Sequence, residues 1–242
     1  MMTKRFAPLC TAIALAMSLL YVGCSSKSST TTPPQTKILL VHAAAGGPDS
    51  IDILSYNGSS LATIAYNQPY LTSTGYLDAS AGTYLLLVDT AKQLDDDYLT
   101  YQQISLSGGN GYSFFVYDSS ATVTRTFLVN EDLTAPGADS SNVRFFHLSP
   151  DASRVDVAIG NDILYSSQGF YEISSSSLAF KKRLAGSTSI TVYEAGTTNV
   201  LATLPEVVLK ANTSYSIFIS GFTITDGGKK PLSVRIIPHT YL

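Results

Sequence analysis

Two cysteines, Cys10 and Cys24, are all this 242-residue chain has, and both fall in its first tenth. Everything from residue 25 onward therefore lacks a disulfide framework, a thiolate metal site and a cysteine nucleophile. Tryptophan is absent, histidine occurs three times, and charged residues make up only 14%. So few histidines, so far apart, exclude a His-Glu-x-x-His or other paired-histidine zinc spacing. Serine is abundant, yet no Gly-x-Ser-x-Gly elbow occurs. Ser107-Gly108-Gly109-Asn110-Gly111 is glycine-rich but lacks the lysine and following helix of a phosphate loop, so it reads as a turn. Beyond residue 36 no segment sustains a helical apolar period for more than two turns, which excludes long amphipathic helices.

The chain is 45% hydrophobic and 10% aromatic, with fifteen tyrosines. Without disulfides it must be held by its core, and there is enough apolar matter to build one. Residues 37–135 hold three basic side chains, Lys37, Lys92 and Arg125, against ten acids, a balance of −7. Residues 141–242 hold nine against seven, a balance of +2. Neither half carries the basic stripe that nucleic-acid binding requires, so no nucleic-acid partner is expected.

An internal repeat decides the organisation. His42, ending the apolar run Ile38-Leu39-Leu40-Val41, matches His147 after Val143-Arg144-Phe145-Phe146, an offset of 105. Ile51-Asp52-Ile53 matches Val155-Asp156-Val157, and Ala81-Gly82-Thr83 matches Ala185-Gly186-Ser187, both at 104. Gly111-Tyr112-Ser113-Phe114-Phe115 matches Ser214-Tyr215-Ser216-Ile217-Phe218 at 103. Four landmarks in order at nearly one offset mean duplication. Short apolar segments fall near 37–42, 50–56, 61–66, 75–78, 83–89, 99–106, 112–117 and 122–129, then near 142–147, 154–159, 162–165, 178–183, 189–194, 201–209, 214–221 and 232–238. The expected fold is all-β: two tandem immunoglobulin-like Greek-key β-sandwich domains. The first occupies 37–135, the second 142–242, with 136–141 as linker.

Ahead of them, Lys4 and Arg5 precede an apolar run, Thr11 to Val22, too short to span a bilayer comfortably. Val22-Gly23-Cys24 then resembles the lipobox of bacterial lipoproteins, with Tyr21 where that motif usually has leucine. The resemblance implies a signal peptide over 1–23, cleavage before Cys24 and lipid on its thiol; ordinary secretory cleavage is the alternative. Residues 24–36 would follow as a Ser/Thr/Pro tether with no large apolar side chain from 25 on. The location implied is the bacterial cell envelope, with the membrane as partner and Ser25 after the cysteine pointing to the outer membrane.

Leu106 and Leu209 each precede a tyrosine, Tyr112 and Tyr215, by six residues, with Gly109 or Asn212 between. This resembles the tyrosine corner of immunoglobulin-like domains, in which the hydroxyl bonds back to the turning chain. His147-Leu148-Ser149-Pro150-Asp151-Ala152 followed by Val155-Asp156-Val157 is similar to the opening of the bacterial family known as domain of unknown function 4397. Leu184-Ala185-Gly186 and Val208-Leu209…Tyr215 fit its continuation, and His42-Ala43-Ala44 with Pro48-Asp49 is a more worn version. The resemblance implies an exported or lipid-anchored β-rich protein, often duplicated. It implies no reaction.

Chemistry, if any, would centre on His42 with Asp49 and Asp52, and on His147 with Asp151 and Asp156. A histidine with carboxylates can ligate a metal or form a base with its orienter. It can equally hold the first two strands together, and repetition in both copies favours that. Asp95-Asp96-Asp97 could meet a hard cation but reads as a solvated loop. Lys181-Lys182-Arg183 reads as an aggregation-resistant strand edge. Loops bearing Tyr66, Tyr70 and Tyr76, or Phe170 and Tyr171, could present rings to a sugar. The function expected is a lipid-anchored structural or binding module, contacting envelope glycan or protein, with no catalysis and no cofactor. The alternative is a metal-dependent or hydrolytic enzyme around His147, Asp151 and Asp156.

Overall fold

A computed structural model describes residues 34–92 and 97–240. The expected leader, Cys24 and all but the last three residues of the tether lie outside the described residues, as do Asp95 and Asp96. The first half folds as β1 (Gln35–Ala43), β2 (Ser50–Tyr56), β3 (Leu61–Pro69), β4 (Thr72–Ser80), β5 (Gly82–Thr90), β6 (Thr100–Leu106), β7 (Gly111–Ser120) and β8 (Val123–Glu131). The second follows as β9 (Ser140–His147), β10 (Val155–Ile159), β11 (Asp162–Gln168), β12 (Lys181–Leu184), β13 (Gly186–Glu194), β14 (Val200–Leu209), β15 (Thr213–Ser220) and β16 (Ser233–His239).

Each half is a sandwich of two four-stranded sheets. The first has orders β4-β1-β7-β8 and β3-β2-β5-β6; the second has β12-β9-β15-β16 and β11-β10-β13-β14. Adding eight to every strand of the first gives the second. All pairings are antiparallel except β1 with β7 and β9 with β15, which run parallel. Alternation fills each interior: Ile38, Leu40, Ile51, Ile53, Leu86, Val88, Phe114 and Val116 in the first, and Val143, Phe145, Val155, Val157, Ile190, Val192, Ile217 and Ile219 in the second.

The expected segment 178–183 is resolved differently. Ser175–Leu178 makes one helical turn, α1, closed by the Leu178 amide on the Ser174 carbonyl at 2.9 Å, and the strand starts only at Lys181. Phe180, between them, turns its ring beneath the Arg144 guanidinium, 4.6 Å away.

A third core lies between the sandwiches. Leu39, Val41, Phe115, Tyr117, Phe127 and Val129 of the first pack with Phe146, Leu148, Phe218 and Ile237 of the second. Central strands β1, β7, β9 and β15 are thus covered on both faces, which explains their continuous apolar runs. Phe115 stacks on Phe127 at 4.8 Å and meets Phe146 and Phe218 edge-on at 5.4 and 6.0 Å. Burying each such ring is worth about 2–3 kcal/mol against exposure, so the two sandwiches form one block and present their remaining sheets outward.

Candidate functional site

The expected histidines and aspartates are scaffold in geometry. Asp52 accepts the Asn67 amide at 2.6 Å and the Lys92 amide at 3.2 Å. Asp156 accepts the Ser167 amide at 2.7 Å and the Gly196 amide at 2.9 Å. Those four residues have φ of 51°, 66°, 51° and 74°, so each aspartate pins two left-handed turns, on β3 and after β5 or on β11 and after β13. Backbone in that region needs its amides satisfied locally. Asp151 accepts both amides of Thr223 and Ile224 and the Thr223 hydroxyl; Asp49 pairs with Lys230 at 3.2 Å.

His42 Nδ1 donates to the Gln68 carbonyl at 3.1 Å, and His147 Nε2 to the Ser153 carbonyl at 3.0 Å. A carbonyl can only accept, so the opposite nitrogen is unprotonated in each ring. Burial lowers the pKa of both, His42 to about 4, with the Lys230 ammonium acting in the same direction there. Among the described residues no three His, Cys, Asp or Glu side chains converge as a metal cluster. Neither histidine is brought onto its two aspartates.

The tyrosines occupy repeated corners. The Tyr112 hydroxyl accepts the Ser107 amide at 2.9 Å, and the Tyr215 hydroxyl accepts the Lys210 amide at 2.8 Å. Gly109 and Asn212 between them have φ of 80° and 57°. These bonds close the arch from β6 to β7 and from β14 to β15.

Reasoning from sequence passed over a sealed polar network between the sandwiches. Arg144 on β9 reaches Glu131 on β8 at 2.5 Å and gives Nε–H to Ser216 Oγ at 2.8 Å. His239 stands 2.8 Å from both Ser216 Oγ and the Tyr76 hydroxyl, and 4.0 Å from Glu131. Burial lowers the His239 pKa to about 4; Glu131 opposes this and Arg144 reinforces it. Serine, histidine and glutamate side by side have the composition of a nucleophile, base and orienter, but Ser216 and His239 are wholly buried, so no substrate reaches them. The signal was a charge inside an apolar run: Arg144 between Val143 and Phe145, and His239 after Ile236-Ile237-Pro238.

Of the loop rings expected to meet a ligand, most are spent. Tyr70 bonds Ser220 at 3.1 Å beneath Lys230, Tyr76 bonds His239, and Tyr171 stacks on Tyr117 at 4.7 Å beside Phe170. Tyr66 is 67% exposed. Lys181–Arg183 belongs to β12, an edge strand, where Arg183 pairs with Asp162 at 3.0 Å.

The outward sheet β3-β2-β5-β6 is different. Ile51, Ile53, Leu86 and Val88 point inward, so alternation turns Leu54, Tyr56, Leu85 and Leu87 outward. Register aligns Leu61–Tyr56–Leu85–Gln103 in one row and Thr63–Leu54–Leu87–Tyr101 in the next. Tyr101 is 67% exposed, Leu61 51% and Tyr56 40%. The second sandwich has Ile163–Ala158–Thr191–Thr203 in place of the latter row, and Gly160 and Ser189 for Tyr56 and Leu85. One architecture thus carries two outer faces, and in these two rows only the first has leucine and tyrosine on its central strands, while the second has Tyr193 and Val200 in another row. Aligning the halves in sequence would have shown it.

The family model of "Domain of unknown function (DUF4397)" matches residues 36–158. The chain belongs to the DUF4397 family. No curated protein matches this DUF4397 chain. Among solved structures it is similar to the Bacillus anthracis TIE protein, at 10% identity and a TM-score of 0.25, covering 78% of this chain and 33% of that one. The chain thus spans about a third of that protein's length. It is also similar to family 41 carbohydrate-binding modules from streptococcal virulence factors, at 10% identity, TM-score 0.24, with 83% and 96% covered. The tip fimbrial protein Mfa3 from Porphyromonas gingivalis follows at 8%, TM-score 0.26, with 86% and 100% covered. Likenesses so distant say nothing of what the DUF4397 protein binds.

Proposed function

We propose that this DUF4397 protein is a lipid-anchored, non-catalytic binding module of the bacterial cell envelope. The carrying observation is the outer face of β3-β2-β5-β6. At the positions of Leu54, Tyr56, Leu85 and Leu87 the second sandwich builds the same sheet with Ala158, Gly160, Ser189 and Thr191, so the fold does not require leucine and tyrosine at those four places. Exposed apolar surface that a fold does not need is a contact surface. The second sandwich is read as another copy of the same domain, because its sheet orders repeat those of the first.

The anchor is Cys24, and the tether 24–36 lifts the block from the membrane. Both parts are testable. Growth with an alkyne-bearing fatty acid should label the wild-type chain and move it to the membrane fraction, while Cys24→Ser should be unlabelled and soluble. Equal partitioning of the two would overturn the anchor. Retention of the purified chain on immobilised envelope material should fall on Tyr101→Ala; unchanged retention would overturn the contact surface.

A further inference from the structure

Resting on that reading, we propose that the outer face of β3-β2-β5-β6 takes a neutral polysaccharide, whose rings stack on Tyr56 and Tyr101 and whose hydroxyls meet Gln103. The rings come first. Tyr56 sits on β2 and Tyr101 on β6, two strands and one row apart, or about 12 Å from strand spacing and rise. The Tyr56 hydroxyl donates to the Gly58 carbonyl at 2.9 Å, which holds its ring in place before any ligand arrives. A preset tyrosine loses little conformational freedom on contact.

What lies between the rings matters as much. Leu54 and Leu87, between the two rings, are buried within the face, and the exposed leucine, Leu61, stands on the edge strand β3, so a ligand lying from Tyr56 to Tyr101 meets ring surfaces and an amide. A protein partner would be expected to find an apolar centre with a polar rim. Here the arrangement is reversed at the centre: the aromatic rings stand proud and Leu54 and Leu87 form their floor. Sugar rings offer C–H faces for stacking and hydroxyls for an amide, which fits.

Charge narrows the class. The first half has three cations, and none lies in either row. Lys37 is bonded to Asp78 on the other sheet at 2.8 Å, and Arg125 lies on β8. The formal balance of the first half as a whole, −7, disfavours polyanions. Lys92, just past the end of β5, is the one cation next to this sheet, too little counter-charge for uronic-acid or phosphate polymers, whereas uncharged chains meet no penalty. The second sandwich, with Ala158, Thr191 and Thr203 in register, serves as an internal control.

The test is affinity electrophoresis of the full-length chain in mild detergent, through gels containing glycogen, galactomannan, xyloglucan or polygalacturonate. At least one neutral polymer should retard the wild type, and polygalacturonate should not. Tyr101→Ala and Tyr56→Ala should each weaken retention about tenfold, with unchanged melting to show they fold, while Tyr193→Ala on the second sandwich leaves it intact. Retention surviving both first-sandwich changes, or none on any neutral polymer, overturns the proposal. A photocrosslinking residue at position 101 then separates the outcomes. A protein adduct, a second copy included, overturns the glycan and keeps the contact face; no adduct and no retention overturn both.

Discussion

Arg144 of the second sandwich and Glu131 of the first form an ion pair 2.5 Å long, with both side chains sealed from water. Two charges in such a place are tolerable only together. Glu131→Gln or Arg144→Met alone should cost about 3–5 kcal/mol, and the double replacement distinctly less than the sum. Urea unfolding of the four proteins measures this. Additive losses would mean the charges act independently.

Acid should unfold this protein earlier than its modest charge suggests. His42 and His239 have pKa values near 4 when folded, lowered by burial, against 6.5 as the ordinary value. The unfolded chain therefore binds protons first, and stability present above pH 6.5 is lost as pH falls toward 4. Each contributes on the order of 3 kcal/mol over that window. Asp118 works the other way: burial raises it to about 6, so protonation below that favours the folded state and offsets part of the loss. Melting temperature against pH should fall between 6.5 and 4, and His239→Gln should flatten the slope. A flat wild-type profile would refute the assignment.

Asp52 and Asp156 hold equivalent amides, so their loss should be equivalent. Each change to alanine leaves two turn amides without their acceptor, a cost of about 1–3 kcal/mol. Chemical denaturation reads the loss. A drop for only one of the pair would show that the two corners differ in solvent access.

Replacing Tyr215 by phenylalanine removes the acceptor of the Lys210 amide and should destabilise the fold by about 1–3 kcal/mol. Amide hydrogen exchange localises the effect: Lys210 and its neighbours should exchange faster while β10 stays protected. Uniform acceleration across the second sandwich would instead indicate a global role.

Much was legible in the chain. Apolar alternation placed the strands, and β2 fell at Ser50–Tyr56 as read. The repeat offset aligned Asp52 with Asp156, and the structure gives both the same pair of turn amides. Other features were written but readable only in contrast. The unbroken run from Ile38 to Val41 signals a strand covered on both faces, yet nothing local says what covers the second. Leu54 and Leu87 read as interior, and only the contrast with Ala158 and Thr191 marks them as the buried floor of an outer face.

The sequence alone determined that this is a cysteine-poor β protein whose landmarks recur at nearly one offset, because hydrophobic period and repeat offset are local properties that survive without coordinates. Only the tertiary structure decided that two sheets bury each other around Arg144, Glu131 and His239, and that one outer sheet keeps Tyr56 and Tyr101 in the open. Alternation says that a residue leaves one face of a strand. It cannot say whether the other face meets a neighbouring sheet or water, since that depends on residues a hundred positions away.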